Sequence, residues 1–291
     1  MSKTCISTYS FHGATWNGRL TFHQVADKVK ELGCPGIEFV VNDTAPDGSD
    51  FAAFWTDMAD YSRSIGLEIP IYTTGANFFL KDPREETERL KKHIDLASKL
   101  GIPLMRHDIT ASFYPGYEGP RSFDAILPVV APAIRETAEY AASKGVMTCS
   151  ENHGRLVQDA DRMLAVFREV NHPNYGYLCD IGNFGGVDEN CAVSVSKLLP
   201  FVKHVHVKDA FWRSGMLPDP GRGWGRTRAG NYRRATILGH GDVPVQQCLQ
   251  ILHDSGYDGY YSLEFEGIEE TISAIEISME NLDRMLKSIE G

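Results

Sequence analysis

Short runs of apolar and β-branched residues alternate along the chain with longer stretches in which apolar side chains return every third or fourth position. The short runs read as buried strands: CISTYSF from Cys5, GIEFV from Gly36, EIPIYTT from Glu68, PLMRHDI from Pro103, GVMTCSE from Gly145, YGYLCDI from Tyr175, VKHVHVK from Val202 and YYSLEFE from Tyr260. The longer stretches read as amphipathic helices. In TFHQVADKVKELG, Phe22, Val25, Val29 and Leu32 share one face and Gly33 supplies a stop. PREETERLKKHIDLASKLG opens with proline and acids and closes with lysine and glycine, as the helix dipole favours. SFDAILPVVAPAIRETAEYAASKG and DADRMLAVFREVN follow the same pattern.

The first seven strands recur at roughly 25–45-residue intervals, the repeat of a βα unit. Eight strands in that rhythm predict an α/β fold, a closed (β/α)8 TIM barrel, with residues 1–291 as a single domain. An open doubly wound sheet would place a Gly-rich phosphate loop after its first strand, and SFHGATWNG lacks that spacing. One connection breaks the rhythm. After strand seven, DAFWRSGMLPDPGRGWGRTRAGNYRRATILGHGD has no helical period and is rich in Gly, Pro and Arg. It predicts a long loop on the C-terminal face of the barrel, either a solvated or subunit-contacting excursion or a lid over substrate. Arg213, Arg222, Arg226, Arg228, Arg233 and Arg234 make it locally basic.

The net charge of −10 argues against general nucleic-acid or anionic-membrane binding. No apolar run approaches the roughly 20 residues needed to span a bilayer. The segment MSKTCISTYSFHG lacks the apolar centre of a signal peptide. The expectation is a soluble, cytoplasmic protein. Cys5, Cys34, Cys149, Cys179, Cys191 and Cys248 are scattered without a CxxC pair, as reduced buried thiols would be.

Four ionisable side chains interrupt the late strands near their ends: Glu151, Asp180, His206 and Glu264. In a barrel, the C-terminal strand ends converge on the mouth, so these four can meet around one ion. Three carboxylates and one imidazole suit Mn²⁺, Mg²⁺ or Co²⁺ better than structural zinc. Glu38 and Asp108 also lie near strand ends, so position alone does not select four. His153, Asn183 and Lys208 lie close to the ligand candidates and are candidates to bind substrate oxygens. Arg106 and His107 end strand four, and one of them is expected to face the pocket. Trp16, Phe113 and Tyr117 either wall the substrate or simply pack.

SENHG, CDIGNF, HVHVKD and SLEFEG together resemble the xylose-isomerase-like sugar phosphate isomerase/epimerase superfamily, with weaker support from GIEFV and PLMRHD. That superfamily includes keto-sugar 3-epimerases, hydroxypyruvate isomerases, inosose dehydratases and the more distant endonuclease IV. The resemblance covers essentially the whole chain. It implies a (β/α)8 barrel with one divalent ion at its mouth: Mn²⁺ first, with Mg²⁺, Co²⁺ or Zn²⁺ as alternatives. Glu151, Asp180, His206 and Glu264 would be its ligands, and Glu151 and Glu264 would also exchange the substrate proton from opposite faces. LGHGDV resembles the family's glycine turn before the last helix.

The implied reaction is isomerisation or epimerisation of a small polyhydroxy carbonyl compound, a sugar, keto-sugar or inosose. An inosose-type dehydratase is the alternative, since loss of a β-hydroxyl can follow the same deprotonation. An endonuclease IV-like nuclease would need further imidazoles from His107, His153 and His240. A non-catalytic sugar-binding barrel is the remaining reading. A homodimer or homotetramer is expected by resemblance. Two positions depart from the keto-sugar 3-epimerases: Asn183 stands where they carry His, and Trp212, followed by Arg213, where they carry Arg. These departures point away from free ketohexoses, and leave Arg213 and the other loop arginines to recognise a phosphate or carboxylate.

Overall fold

The structure, a computed structural model, describes residues 2–291. In chain order the elements are β1 (Lys3–Ser7), α1 (His12–Thr15), α2 (Phe22–Glu31), β2 (Gly36–Val40), α3 (Phe51–Ser64), β3 (Tyr72–Thr74), α4 (Arg84–Lys99), β4 (Leu104–His107), α5 (Phe123–Ser143), β5 (Met147–Glu151), α6 (Ala160–Val170), β6 (Tyr175–Asp180), α7 (Cys191–Leu198), β7 (Val202–Val207), β8 (Asp209–Arg213), β9 (Gly225–Arg226), β10 (Tyr232–Thr236), α8 (Val245–Asp254), β11 (Tyr260–Leu263) and α9 (Thr271–Glu290). Eight parallel strands close in the order β1-β11-β7-β6-β5-β4-β3-β2. The helices cover the outside, so this is a single TIM barrel. Every one of the eight anticipated strands is a barrel strand, and β2 coincides with GIEFV.

Local chemistry accounts for the element boundaries. Thr21 and Gln24 form a reciprocal capping box that starts α2. Asp159 caps α6, and Asn171 ends it in the left-handed conformation at φ 40°. Strands buried on both faces read as continuous apolar runs because helices lie outside and packed side chains fill the barrel. Trp55, Tyr72 and Tyr177 are the bulkiest fully buried side chains among the described residues. No helix among the described residues is long and apolar enough to cross a membrane.

The connection after β7 is more ordered than a loop. Its ends, β8 and β10, pair antiparallel, and β9 adds to β10, giving a separate three-stranded sheet. Asp209 ties down the return of the chain: its carboxylate accepts from the backbone N–H of Gly239, Gly241 and Val243. A side chain at Gly241 would meet Asp209 Oδ1 at 2.2 Å, so the turn requires glycine there. Trp212 meets Gly185 with the edge of its indole and donates from Nε1 to its carbonyl at 3.1 Å. Asp188, left-handed at φ 63°, accepts from Thr227, Ala229 and Asn231. The excursion is thereby docked on the turn that follows β6.

Candidate active site

Strand register gathers the ionisable groups at the C-terminal mouth. Asp180 stands opposite His206 across β6 and β7, just beyond an irregularity at Tyr177/Leu178. Ser262 on β11 stands on the other side of His206. Asn152 pins the β5 and β6 ends together, donating to the Asp180 carbonyl at 2.9 Å and accepting from the Asp180 N–H at 3.0 Å. Donor atoms of Glu151, Asp180, His206 and Glu264 all lie within 4.8 Å of one another, and all four residues are buried. That spacing approaches what donors around one divalent ion adopt at bond lengths of about 2.1–2.5 Å.

Each donor is oriented by a neighbour. Both oxygens of Glu38 lie 2.9 Å from His206 Nε2, which places the ring hydrogen there. His206 Nδ1 is left buried without a hydrogen-bond partner, 3.6 Å from Glu264 Oε2 and 3.9 Å from Glu151 Oε1. Burial would raise the Glu38 carboxyl, yet His206 and His204 hold it well below the ordinary range. Asp180 Oδ1 accepts from the N–H groups of Gly182 and Asn183. Asn183 Nδ2 donates to Glu151 Oε1 at 2.9 Å, and Arg106 pairs with Glu151 Oε2 at 2.6 Å. Lys208 Nζ bridges Glu264 at 2.6 Å, Asp180 at 2.7 Å and Glu266 at 3.2 Å.

These residues fit a divalent cation on charge as well as geometry. Six carboxylates, those of Glu38, Asp108, Glu151, Asp180, Glu264 and Glu266, face the permanent cations Arg106 and Lys208. Even with His153 and His206 both protonated, two negative charges stay uncompensated. Burial, with Glu151 and Glu264 beside it, pushes the Asp180 carboxyl up although Lys208 opposes the shift. Crowded like charge around an unpartnered imidazole nitrogen is what a bound dication relieves. Cys5, Glu38 and His204 form a second group of potential ligands. The Cys5 thiol is held protonated by burial and by Glu38, so that group reads as the hydrogen-bonded support behind His206.

A cavity of about 170 Å³ opens beside two of the four donors, Glu151 and Glu264, and is lined by them with Tyr9, Val40, Thr73, Arg106, His153, Lys208 and Glu266. His153 is half-exposed and pairs with Asp108 at 2.9 Å. Burial would lower its imidazole, but Asp108 raises it to about 9. Strand alternation divides the β4 pair: Arg106 turns inward to Glu151, whereas His107 packs against Phe78 and Tyr175 and hydrogen-bonds to the Asp108 carbonyl. His107 is therefore outside the cavity. Trp16 is 78% exposed and meets His12 edge-on, away from it. Arg213 lines a different surface depression with Trp212 and Asp188. His240 is exposed, and neither it nor His107 joins a ligand group. Tyr9, Thr73 and Glu266 were not anticipated; Glu266 had a signal, since it stands two residues after Glu264.

A family model for a xylose isomerase-like TIM barrel matches residues 26–288. Comparison with curated protein sequences finds no match. Among solved structures, the "probable 3-DHS dehydratase AsbF involved in the petrobactin synthesis" of Bacillus anthracis is 19% identical with a TM-score of 0.73, covering 97% of this chain and 98% of its own. D-allulose 3-epimerase from Methylomonas sp. is 18% identical with a TM-score of 0.73, covering 98% of each chain. A xylose isomerase-like TIM barrel protein from Mycobacterium smegmatis in complex with magnesium is 16% identical with a TM-score of 0.72, covering 100% of this chain and 98% of its own. At these identities the likeness is one of fold.

Proposed function

The chain belongs to the xylose isomerase-like TIM barrel family, and from that premise we propose that it is a divalent-metal-dependent isomerase or epimerase of a small polyhydroxy carbonyl compound. The observation that carries this reading is the convergence of Glu151, Asp180, His206 and Glu264 around the free Nδ1 of His206. Glu151, Asp180, His206 and Glu264 would hold the ion, Mn²⁺ or Mg²⁺. When bound, it supplies a Lewis acid that stabilises negative charge developing on the substrate's carbonyl and neighbouring hydroxyl oxygens.

The chain's own residues supply the proton transfers. Glu151 and Glu264 come from β5 and β11, which β6 and β7 separate in the barrel order, so they approach the cavity from different sides. Glu151 is the base: Asn183 and Arg106 hold its carboxylate in place, leaving it to accept a proton from the carbon beside the carbonyl. Glu264 returns a proton. Burial would raise its carboxyl, but Lys208 and His206 keep it well below the ordinary range, so the proton it returns is one taken up from solvent. Lys208, 2.6 Å away, is held protonated against burial by Asp180, Glu264 and Glu266, and it orients the carboxylate. Return to the opposite face of the same carbon epimerises it; return to the neighbouring carbon isomerises aldose and ketose.

Incubation with Mn²⁺ in D₂O tests the reading. A true substrate exchanges a carbon-bound hydrogen, and Glu151→Gln and Glu264→Gln each slow exchange by about 10²-fold or more. Exchange untouched by both substitutions overturns the acid–base assignment. Dehydration is the second reading, favoured by His153: this imidazole, held by Asp108, lines the same cavity and can protonate a departing β-hydroxyl. That path yields an unsaturated product with changed ultraviolet absorbance, and clean inversion without it excludes dehydration for that substrate.

A further inference from the structure

A second cavity, of about 280 Å³, lies beneath the excursion sheet. It shares His153 and Glu266 with the catalytic cavity, so the two adjoin, and one ligand can occupy both. Its wall is strongly basic: Arg155, Arg226, Arg233 and Arg234 face a single carboxylate, Glu266. Three of the four guanidinium groups are already engaged. Arg155 Nη2 donates to the Arg226 carbonyl at 2.9 Å. Arg226 donates to the Tyr232 hydroxyl at 3.0 Å and stacks on its ring. Arg234 stacks on Phe211 and Trp224 and lies 3.9 Å from Glu269, although its Nε is also buried without a hydrogen-bond partner.

Arg233 is different. Its Nε and Nη2 atoms are buried and have no hydrogen-bond partner, and it forms no ion pair among the described residues. A permanently charged planar fork buried against a cavity without a partner costs free energy. The same side chain lines the cavity, and a planar guanidinium fork matches the bidentate geometry of a carboxylate or a phosphate. The sheet holds the group there: Arg233 pairs with Trp212 on β8, which is itself anchored to Gly185. Arg155, which also lines the cavity, is held in the left-handed conformation at φ 67°, costly for a residue other than glycine.

We infer that Arg233 and the excursion sheet form an anion subsite, and that the substrate carries a carboxylate or phosphate at the end remote from its reacting carbons. The inference rests on the proposed proton-transfer site for what lies in the adjoining cavity. It makes the excursion a specificity element, in which Arg233 replaces Arg213 as the contact.

Two arms test it. In the first, the purified protein is titrated calorimetrically with inorganic phosphate and with acetate, without a sugar. Arg233→Gln should weaken the preferred anion by about tenfold to a hundredfold, as loss of a charged hydrogen bond does, with Arg233→Lys restoring part of it. Because the substitution removes a buried charge that has no partner, the thermal midpoint of Arg233→Gln should not fall below wild type. Equal anion binding by wild type and Arg233→Gln overturns the subsite. In the second arm, D₂O exchange is compared for a neutral ketohexose, its phosphate ester and the matching keto-uronate. Preference for one anionic form identifies the anion, and Arg233→Gln should reduce that preference at least tenfold through KM. Equal exchange of neutral and anionic forms overturns the assignment. Glu151→Gln abolishes exchange but leaves anion binding intact, so failure of the proton-transfer reading and failure of the subsite give different results.

Discussion

His206 has one ring nitrogen bound to Glu38 and the other free, and that asymmetry sets the first prediction. Glu38→Gln removes the carboxylate that fixes the ring hydrogen on Nε2, so Mn²⁺ affinity measured by calorimetry should fall about 10–100-fold. Unchanged affinity would remove Glu38 from the site. A second prediction concerns His107. Burial, with Arg106 nearby, lowers its imidazole to about 4, below the roughly 6.5 of an unfolded chain. The unfolded state then binds the proton more tightly. The contribution of neutral His107 is complete above about pH 6.5 and is lost as pH falls through about 4, for a total of about 3 kcal/mol. The stability difference between wild type and His107→Gln, from urea midpoints at pH 7 and pH 4, should shift by that order toward the variant at low pH. Parallel profiles would refute the assignment. The four donors were legible because each is a charge at the end of an apolar strand. The choice between Arg106 and His107 was not, because alternation gives relative parity and leaves open which parity faces inward.

The excursion shows why an element can be hidden in a sequence. DAFWR and YRRAT pair as β8 and β10, yet a long Gly-, Pro- and Arg-rich stretch separates them and no short hairpin signal joins them. The eight barrel strands were legible for the opposite reason: burial on both faces forces uninterrupted apolar runs. With β8 and β10 unseen, nothing distinguished Arg233 from the neighbouring arginines, and Arg213 stood out because it follows Trp212, the position where keto-sugar 3-epimerases carry Arg. Docking of this sheet depends on a close contact between the edge of Trp212 and Gly185. A methyl group at Gly185 would land 1.5 Å from Trp212 Cζ2. Gly185→Ala therefore displaces the indole at an overpacking cost of about 1–3 kcal/mol. Trypsin cleavage within residues 213–234 should accelerate about five- to a hundredfold, with the barrel's thermal transition retained. Cleavage at the wild-type rate would show that Trp212 does not hold the sheet.

Across the whole molecule, charge is unevenly placed. The barrel mouth concentrates buried carboxylates in a chain already at net charge −10, and a cation bound among them would relieve the repulsion that Arg106 and Lys208 leave in the folded state. An ion that binds the native site and not the unfolded chain stabilises the protein by RT ln(1 + [L]/Kd), about 2.7 kcal/mol at a hundredfold excess over Kd. For a domain of this size the thermal midpoint should rise by roughly 5–10 °C on adding Mn²⁺ and fall back with a chelator. Asp180→Asn should abolish the dependence on Mn²⁺. It should also raise the midpoint of the chelated protein or leave it unchanged, because it removes one charge from a crowded set that burial already disfavours. The two effects separate a metal site from a merely structural ion-pair cluster. In such a cluster Asp180 would serve only as the partner of Lys208, so Asp180→Asn would lower the midpoint with or without Mn²⁺, by leaving a buried ammonium short of a counter-charge.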